Sequence, residues 1–411
     1  MDENLSDVKP RYLIMVTADN HNKFYKQIPH GNTWTAEYGR VGCSSQTKDY
    51  PMSLWEKKYN EKVRKGYIDQ TELVKELITE NTDDSGKTEA EIENKAIADV
   101  VKRLQKYAKV AISENYTISD NKVTQSMVDE AQRVLSELVG IKTVDEFNET
   151  LIRLFNTIPR KMDKVQYYLS RTASDFAEII SREQDILDVM KGQVVQNIQS
   201  VKGSENAESV KKPTETILDK MGLEFYECDS SEIATIKKKL GSCASMFKNA
   251  WRVVNSKTQT KFDKFVGEND VKKRDLLWHG SRNENWWSII NLGLVLNPTN
   301  VVISGHMFGH GIYFANRAKK SFGYTSGNGS YWARGGSSTA FLSLFDVAMG
   351  KSFYTANHKC EYYSYNWSTF TKKHPDCMSF FAKGGADLRN DEIIVYRDDQ
   401  CTIKYLVELS C

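Results

Sequence analysis

The apolar positions at the start of the chain come in short runs. RYLIMVTADN, from Arg11, reads as a strand closing in a polar turn, and HNKFYKQIPHGNTWTAEYGRVG as two more strands around a turn at His30-Gly31-Asn32. LWEKKYNEKVRKGY then sets Leu54, Tyr59 and Val63 at near-helical spacing with lysines on the other side. This pattern predicts a small sheet with one helix. From Asn81 to Glu91 no apolar period remains, which predicts a linker.

The apolar period then becomes helical. Ile97, Val100, Val101, Leu104, Ala108 and Ile112 mark one amphipathic helix, and Met127, Ala131, Val134, Leu135 and Leu138 a second. Thr143 and Glu146 have capping-box spacing before a third, whose face is Phe147, Leu151, Leu154, Phe155 and Ile158 and which Pro159 stops. Phe176, Ile179, Ile180, Leu187 and Met190 mark a fourth, and Gln196 to Glu215 reads as a second polar linker. Beyond it the pattern is mixed. LEFYEC and TKFDKFVGE read as strands with a helix in SEIATIKKKLGSCAS between them, and TAFLSLFDVAMG, SFYTA, EIIVYRDD and TIKYLVEL as strands. The expected architecture is multidomain α+β: a small β-rich module (residues 1–80), an all-α bundle (91–195) and a mixed antiparallel β domain (216–411).

Composition sharpens this only slightly. A chain of 411 residues, 40% hydrophobic and 27% charged, is that of an ordinary globular protein of several domains. No run of about 18 apolar residues predicts a membrane span, and the start, MDENLSDVKPRYLIMV, lacks the basic and long apolar regions of a secretory signal. The seven cysteines (43, 228, 243, 360, 377, 401 and 411) include no CxxC pair, so neither a zinc ribbon nor a redox pair is indicated, and no metal site is expected. Their odd number in a large chain fits a reducing compartment. The formal net charge is +2, yet Lys9 to Ile68 holds eleven Lys and Arg against five Asp and Glu. That local excess suits phosphate binding, although charge alone favours the plainer reading of a solvated basic face.

The candidate chemistry lies in LLWHGSRNENWWSIINLGL, from Leu276 to Leu294, and GHMFGHGIYFANRAKKSFGY, from Gly305 to Tyr324. Glycines admit close backbone approach, tyrosines offer flat faces, and His and Ser supply directed hydrogen bonds, so these runs suit a cleft for a planar, polar ligand. Trp286 and Trp287 read as core aromatics, and GHMFGHG lacks the strand–turn–helix context of a dinucleotide fingerprint.

Three stretches resemble one family. EYGRVG, followed by a Lys-rich helix with Trp55 and Tyr59, looks like a WGR domain in which Tyr38 replaces the signature Trp while Gly39 and Arg40 match. VTQSMVDEAQRVLSELVG and FNETLIRLFNTIPRKM are similar to the regulatory helical domain of poly(ADP-ribose) polymerases. LLWHGSR, GHMFGHGIYFA, KKSFGY and NDEIIVY occur in the order of that family's ADP-ribosyltransferase catalytic domain, over about 120 residues. The resemblance implies a His–Tyr–Glu triad of His279, Tyr313 and Glu392. It implies that NAD, as substrate, meets His279, Gly280, Ser281, Tyr313, Lys320, Ser321 and Tyr324, with Gly280 and Ser321 on the nicotinamide carboxamide and Tyr324 stacked on the ring. It further implies that Tyr38, Gly39 and Arg40 contact DNA ends or nicks, that the helical block obstructs NAD until DNA loosens it, that acceptors are proteins including the enzyme itself, and that the site of action is nuclear; Lys237–Lys239 is only a weak basic cluster.

The implied roles make chemical sense. Breaking the bond between nicotinamide and ribose builds oxocarbenium character, and nicotinamide departs without needing a general acid. A suitable site holds the ring flat and places one carboxylate near the developing positive charge. Two departures bear on the product. His310 stands where the family often has Lys, and GNGSYWARGGSST (Gly327 to Thr339) differs in composition. The expectation is DNA-break-activated ADP-ribosylation building poly(ADP-ribose), with single ADP-ribose transfer, or an inactive DNA-end-binding scaffold, as rivals.

Overall fold

The computed structural model describes residues 8–73, 90–116, 124–202, 215–296, 307–331 and 333–411, with side chains of the longest helix described as far as Val194. They form two compact units, Met1–Gly86 with Val110–Val194, and Lys87–Lys109 with Val195–Cys411. The expected linker at Asn81–Glu91 lies outside the described residues except for its last two. The architecture is α+β, with a sheet and helices in the first unit and a β-rich second unit.

In the first unit, β1 (Arg11–Val16), β2 (Asn22–His30), β3 (Thr33–Arg40), β4 (Gln46–Pro51) and β5 (Ile68–Asp69) make an antiparallel sheet of order β4-β3-β2-β1-β5. The Gly31 turn between β2 and β3 has φ +71°, a left-handed value that glycine adopts without strain. Strand β3 buries Trp34 and Ala36, two residues apart, as a one-sided strand should. Helix α1 (Trp55–Arg64) packs on that face through Trp55, whose ring meets Trp34 edge-on at 5.4 Å. The expected helix face differs, since Val63 is 42% exposed and Trp55 is the buried anchor.

Strand β1 is buried from Tyr12 to Val16 on both faces. Leu13 and Met15 join the Trp34–Trp55 cluster. The end of the strand is met by helix residue Asn156, whose Oδ1 accepts from Val16 N–H at 2.8 Å and whose Nδ2 donates to the Val16 carbonyl at 3.2 Å. Asn22 Nδ2 likewise donates to the Arg160 carbonyl at 2.9 Å.

The helices follow the apolar stripes: α2 (Lys95–Asn115), α3 (Gln125–Glu137), α4 (Val144–Thr157) and α5 (Phe176–Lys202). Every stripe residue expected to face a core is buried, and Phe147 stacks on Phe176 at 3.9 Å. Two local expectations fail. Thr143 is the N-cap of α4 but its side chain makes no capping bond, whereas Thr124 caps α3 by accepting from Met127 N–H. Helix α5 runs to Lys202, so the first residues of the expected linker at Gln196–Glu215 are helical and residues 203–214 lie outside the description.

In the second unit, α6 (Ile217–Met221), β6 (Leu223–Glu227), α7 (Ser230–Leu240), β7 (Phe247–Asn255), α8 (Ser256–Glu268), β8 (Arg274–Gly280), α9 (Trp286–Leu292), β9 (Ile312–Phe314), α10 (Ala318–Phe322), β10 (Thr339–Ala348), β11 (Ser352–Thr355), α11 (Trp367–Lys373), β12 (Ser379–Ala382), β13 (Glu392–Val395) and β14 (Cys401–Ser410) follow in order. They build two sheets. The first, β6-β7-β14-β10-β8, is antiparallel; the second, β11-β12-β13-β9, has one parallel pair, β11 with β12. TKFDKFVGE, expected as a strand, lies in helix α8. Phe262 and Phe265, three apart, are its buried pair, and the Asn255 side chain caps it by accepting from the N–H groups of Lys257 and Thr258.

Strand β10 is buried along nine of its ten residues because both faces are covered. One face meets Ile236, Leu240, Ala318 and Phe322. Phe341 also meets Tyr107 of α2 edge-on at 6.4 Å. Nearby, Arg103 of α2 and Lys248 both bond the buried carboxylate of Glu408, which holds its pKa below the usual range despite burial.

Candidate active site

Strand β8 is the edge of the first sheet and β9 the edge of the second. They touch at one bridge, where Trp278 and Ala315 exchange both backbone hydrogen bonds, at 2.8 and 2.9 Å. Along a strand, backbone groups alternate sides. Because the N–H and C=O of Trp278 point away from β10, those of Gly280, two residues on, point the same way. Gly280 therefore presents a donor and an acceptor side by side beyond the end of the bridge, the geometry a primary carboxamide would pair with.

Gly280 must be glycine. A Cβ built there would lie 1.9 Å from the Ser321 carbonyl oxygen, a backbone atom that has nowhere to go. The same approach brings Ser321 onto β8, where its buried Oγ donates to the Trp278 carbonyl at 3.1 Å. Its remaining lone pairs and rotatable hydroxyl stand next to the Gly280 edge. Ser281 Oγ, by contrast, accepts from Asn285 Nδ2 at 2.9 Å, which fixes the turn leaving β8.

His279 Nδ1 lies 3.0 Å from the Tyr313 carbonyl. A carbonyl only accepts, so Nδ1 carries the proton and Nε2 is left as an acceptor in the neutral ring. Trp286, Phe314 and Phe345 surround the ring edge-on at 5.9–6.4 Å. Burial lowers the histidine pKa, which keeps the ring neutral and Nε2 able to accept from a hydroxyl such as that of a ribose.

Tyr313 lies opposite Ile394 in the β9–β13 ladder. Its hydroxyl donates to the Gly309 carbonyl at 2.8 Å and accepts from Phe308 N–H at 3.1 Å, which leaves the ring as its functional surface. The turn it holds needs Gly309, whose φ is +89° and whose added Cβ would strike the Tyr365 carbonyl at 2.2 Å. His310 sits in this turn, with its N–H on the Tyr365 carbonyl. Tyr324, one turn past Ser321, is 41% exposed and brings an aromatic ring to the same place.

Glu392 opens β13, opposite Ala382, and is buried. It is ion-paired to Lys320 of α10, with both side chains nearly buried. Burial raises the phenol pKa of both Tyr313 and Tyr324, and the negative charge of Glu392 adds to the rise, taking Tyr324 to about 12. The carboxylate is thus electrostatically close to both aromatic faces. The second unit gathers His279, Gly280, Tyr313, Lys320, Ser321, Tyr324 and Glu392 around the β8–β9 edge. The charge of Lys320 also balances the carboxylate, which a motif reading alone leaves unexplained.

Residues 230–411 match the family model described as the poly(ADP-ribose) polymerase catalytic domain. The chain belongs to the poly(ADP-ribose) polymerase family. It is 34% identical to the uncharacterized protein 101L of Invertebrate iridescent virus 6 over 190 residues, which cover 45% of this chain and 78% of that protein. It is 25% identical to poly [ADP-ribose] polymerase 2 of Zea mays over 379 residues, covering 81% of this chain and 56% of the maize protein, and 31% identical to poly [ADP-ribose] polymerase 2 of Homo sapiens over 184 residues, covering 37% of this chain and 30% of the human protein. The chain thus spans about half the length of its maize relative. The match makes residues 230–411 an ADP-ribosyltransferase domain, of a family for which NAD is the general substrate. No described helix is long and apolar enough to cross a membrane.

The three residues expected to meet DNA lie in the first unit. Tyr38 packs against Tyr25 at 6.2 Å, with Lys62 over both rings. Gly39 is closely packed, 3.2 Å from the Ser44 carbonyl at its Cβ position. The Arg40 guanidinium is bonded within the unit to the Asn20 carbonyl and Oδ1, each at 3.1 Å, and to the carbonyls of Met162 at 3.0 Å and Asp163 at 2.7 Å. It supports the fold there, and would reach a phosphate only by sharing or leaving those acceptors.

Proposed function

We propose that the protein transfers ADP-ribose from NAD to protein acceptors, itself included, releases nicotinamide, builds poly(ADP-ribose), and is switched on by DNA ends or nicks. The observation that carries the transfer is the buried Glu392 carboxylate, paired with Lys320 and felt by the phenols of Tyr313 and Tyr324, in the same unit as the Gly280 edge that Ser321 packs against.

The carboxamide of nicotinamide pairs with Gly280 N–H and C=O, with Ser321 Oγ at its side, and its ring lies against Tyr324 and Tyr313. His279 Nε2 accepts a ribose hydroxyl. As the glycosidic bond breaks, positive charge grows on the anomeric carbon and Glu392 stabilises it. Lys320, ion-paired to that carboxylate, hands it to the ribose and the incoming acceptor when NAD binds. Glu392 then orients the acceptor hydroxyl or carboxylate.

DNA control rests on the resemblance of Tyr38-Gly39-Arg40 to a WGR motif and on the local basic excess. Gating by the helices requires DNA to favour the form in which NAD may enter, a coupling of about 1–3 kcal/mol in typical cases. A nuclear site follows from this role. Single ADP-ribose transfer is the second reading, favoured by His310 at the rim where the family often has Lys.

The test is mass-spectrometric analysis of products after reaction with NAD, with and without nicked or broken DNA. Ladders of ADP-ribose units that depend on DNA support the proposal. Single-unit adducts would select the second reading, and products independent of DNA would contradict the switch.

A further inference from the structure

The carboxylate next to Glu392 has its own task. Asp391 is the last residue before β13, and both of its oxygens are engaged. Oδ1 accepts from Gly384 N–H at 2.8 Å, just past the end of β12, and Oδ2 accepts from Asn316 Nδ2 at 2.7 Å, just past the end of β9. The connection between β12 and β13 is drawn tight at this point. A Cβ on Gly384 would meet the Asn390 backbone at 2.7–3.0 Å. Asn316 directly follows Ala315, the residue that exchanges both backbone bonds with Trp278, and Gly280 lies two residues beyond Trp278.

We infer that Asp391 is a positioning residue that sets the distance between the Glu392 carboxylate and the nicotinamide edge at Gly280. The inference rests on the transferase reading. Asp391, Asn316, Ala315 and Trp278 form a short, hydrogen-bonded path from the start of β13 to β8, and the Gly384 bond stops β13 from sliding along β12. Lys320 holds the Glu392 side chain, but that bond must yield when substrate arrives. The two bonds of Asp391 fix the backbone that carries Glu392 and do not have to break. Charge stabilisation depends steeply on placement, and an error of about 1 Å costs roughly 100-fold in rate. A carboxylate is suited to this post because it accepts from both neighbours at once. An asparagine could replace it only if Asn316 turned its amide, accepting where it now donates.

The alternative is a turn-closing aspartate of no consequence for catalysis. Nicotinamide release from NAD is measured for the wild type, Asp391→Ala and Asp391→Asn, together with hydrogen exchange at the Gly384 amide and the thermal midpoint. The expected result is a kcat lowered roughly 10- to 100-fold in Asp391→Ala, with KM for NAD within about twofold, and recovery to within about threefold of wild type in Asp391→Asn. Gly384 should be protected in the wild type and Asp391→Asn and lose protection in Asp391→Ala. A wild-type kcat in Asp391→Ala would overturn the inference. So would an Asp391→Asn variant as slow as the alanine one, or kcat and KM worsening together with a fallen midpoint. An inactive wild type with Gly384 protected strikes the transferase reading, whereas an active wild type with Gly384 unprotected strikes this inference.

Discussion

The β8 edge at Gly280 and the turn at Arg40 differ in how their polar groups are used. At the edge, the groups proposed to meet a ligand are kept available by the fold. Gly280 faces outward from an edge strand, His279 is locked in the tautomer that leaves Nε2 accepting, and Tyr324 is 41% exposed. The charge there is held by a partner, Lys320, that can exchange. At the turn, the Arg40 guanidinium is bonded to carbonyls of its own unit. One region is preorganised for a small ligand, and the other is occupied in holding the fold. A site of the first kind is read directly from its geometry, while a role of the second kind in DNA recognition requires an exchange of partners.

The largest effect that would break this comparison lies at Glu392. Glu392→Gln keeps the size and the acceptor oxygen but removes the charge, so nicotinamide release should fall by roughly several hundred-fold while NAD affinity changes little. A variant within tenfold of wild type would show that the carboxylate is not the stabilising charge. Next comes Gly280→Ala, whose methyl group has no room against the Ser321 carbonyl. NAD affinity should fall by about 100-fold in a binding titration, and an unaltered affinity would mean that the carboxamide is held elsewhere.

Arg40→Ala probes the other side of the comparison. Loss of its bonds should cost about 1–3 kcal/mol in denaturant unfolding of the protein. DNA stimulation should fall about tenfold, as for a lost phosphate contact of 1–2 kcal/mol, with basal activity retained. Equal loss of basal and stimulated activity would assign Arg40 to the fold alone. The smallest effect is in pH. The folded pKa of His279 is depressed by burial, so its neutral form is favoured and protonation opposes the folded state. Stability should hold above about pH 6.5, the ordinary histidine value, and decline as pH falls below it, whereas NAD affinity should persist to lower pH and fall only as the depressed folded pKa is passed. His279→Gln should flatten the decline in stability, and a wild-type stability profile that is flat to pH 5 would count against a buried neutral histidine at this position.

Much of this was legible in the sequence because particular residues repeat at the right spacing. The helical stripes, Leu104 and Phe147 among them, are buried as expected, since a 3.6-residue period held over several turns gives one apolar face to a helix and none to a strand. TKFDKFVGE misled because aromatic and β-branched residues favour strands, while the informative signal was Phe262 and Phe265 three apart after the capping Asn255. Strand β4, QTKDYP, was missed because a polar edge strand has no apolar alternation, and β7, FKNAWRVVN, because its burial is irregular. In the site, the motif blocks pointed to His279 and Glu392. The tautomer of the histidine depends on the Tyr313 carbonyl, and the Asp391–Asn316 bond joins residues 75 apart. Such pairings exist only in the folded chain.

The proposed activity is NAD cleavage at the β8–β9 edge with transfer of ADP-ribose to protein. The most direct measurement is simultaneous detection of free nicotinamide and protein mass after incubation of the purified protein with NAD and broken DNA. The account predicts nicotinamide release matched by mass added to protein in whole ADP-ribose units. No release, or release with free ADP-ribose and no added mass, would contradict it.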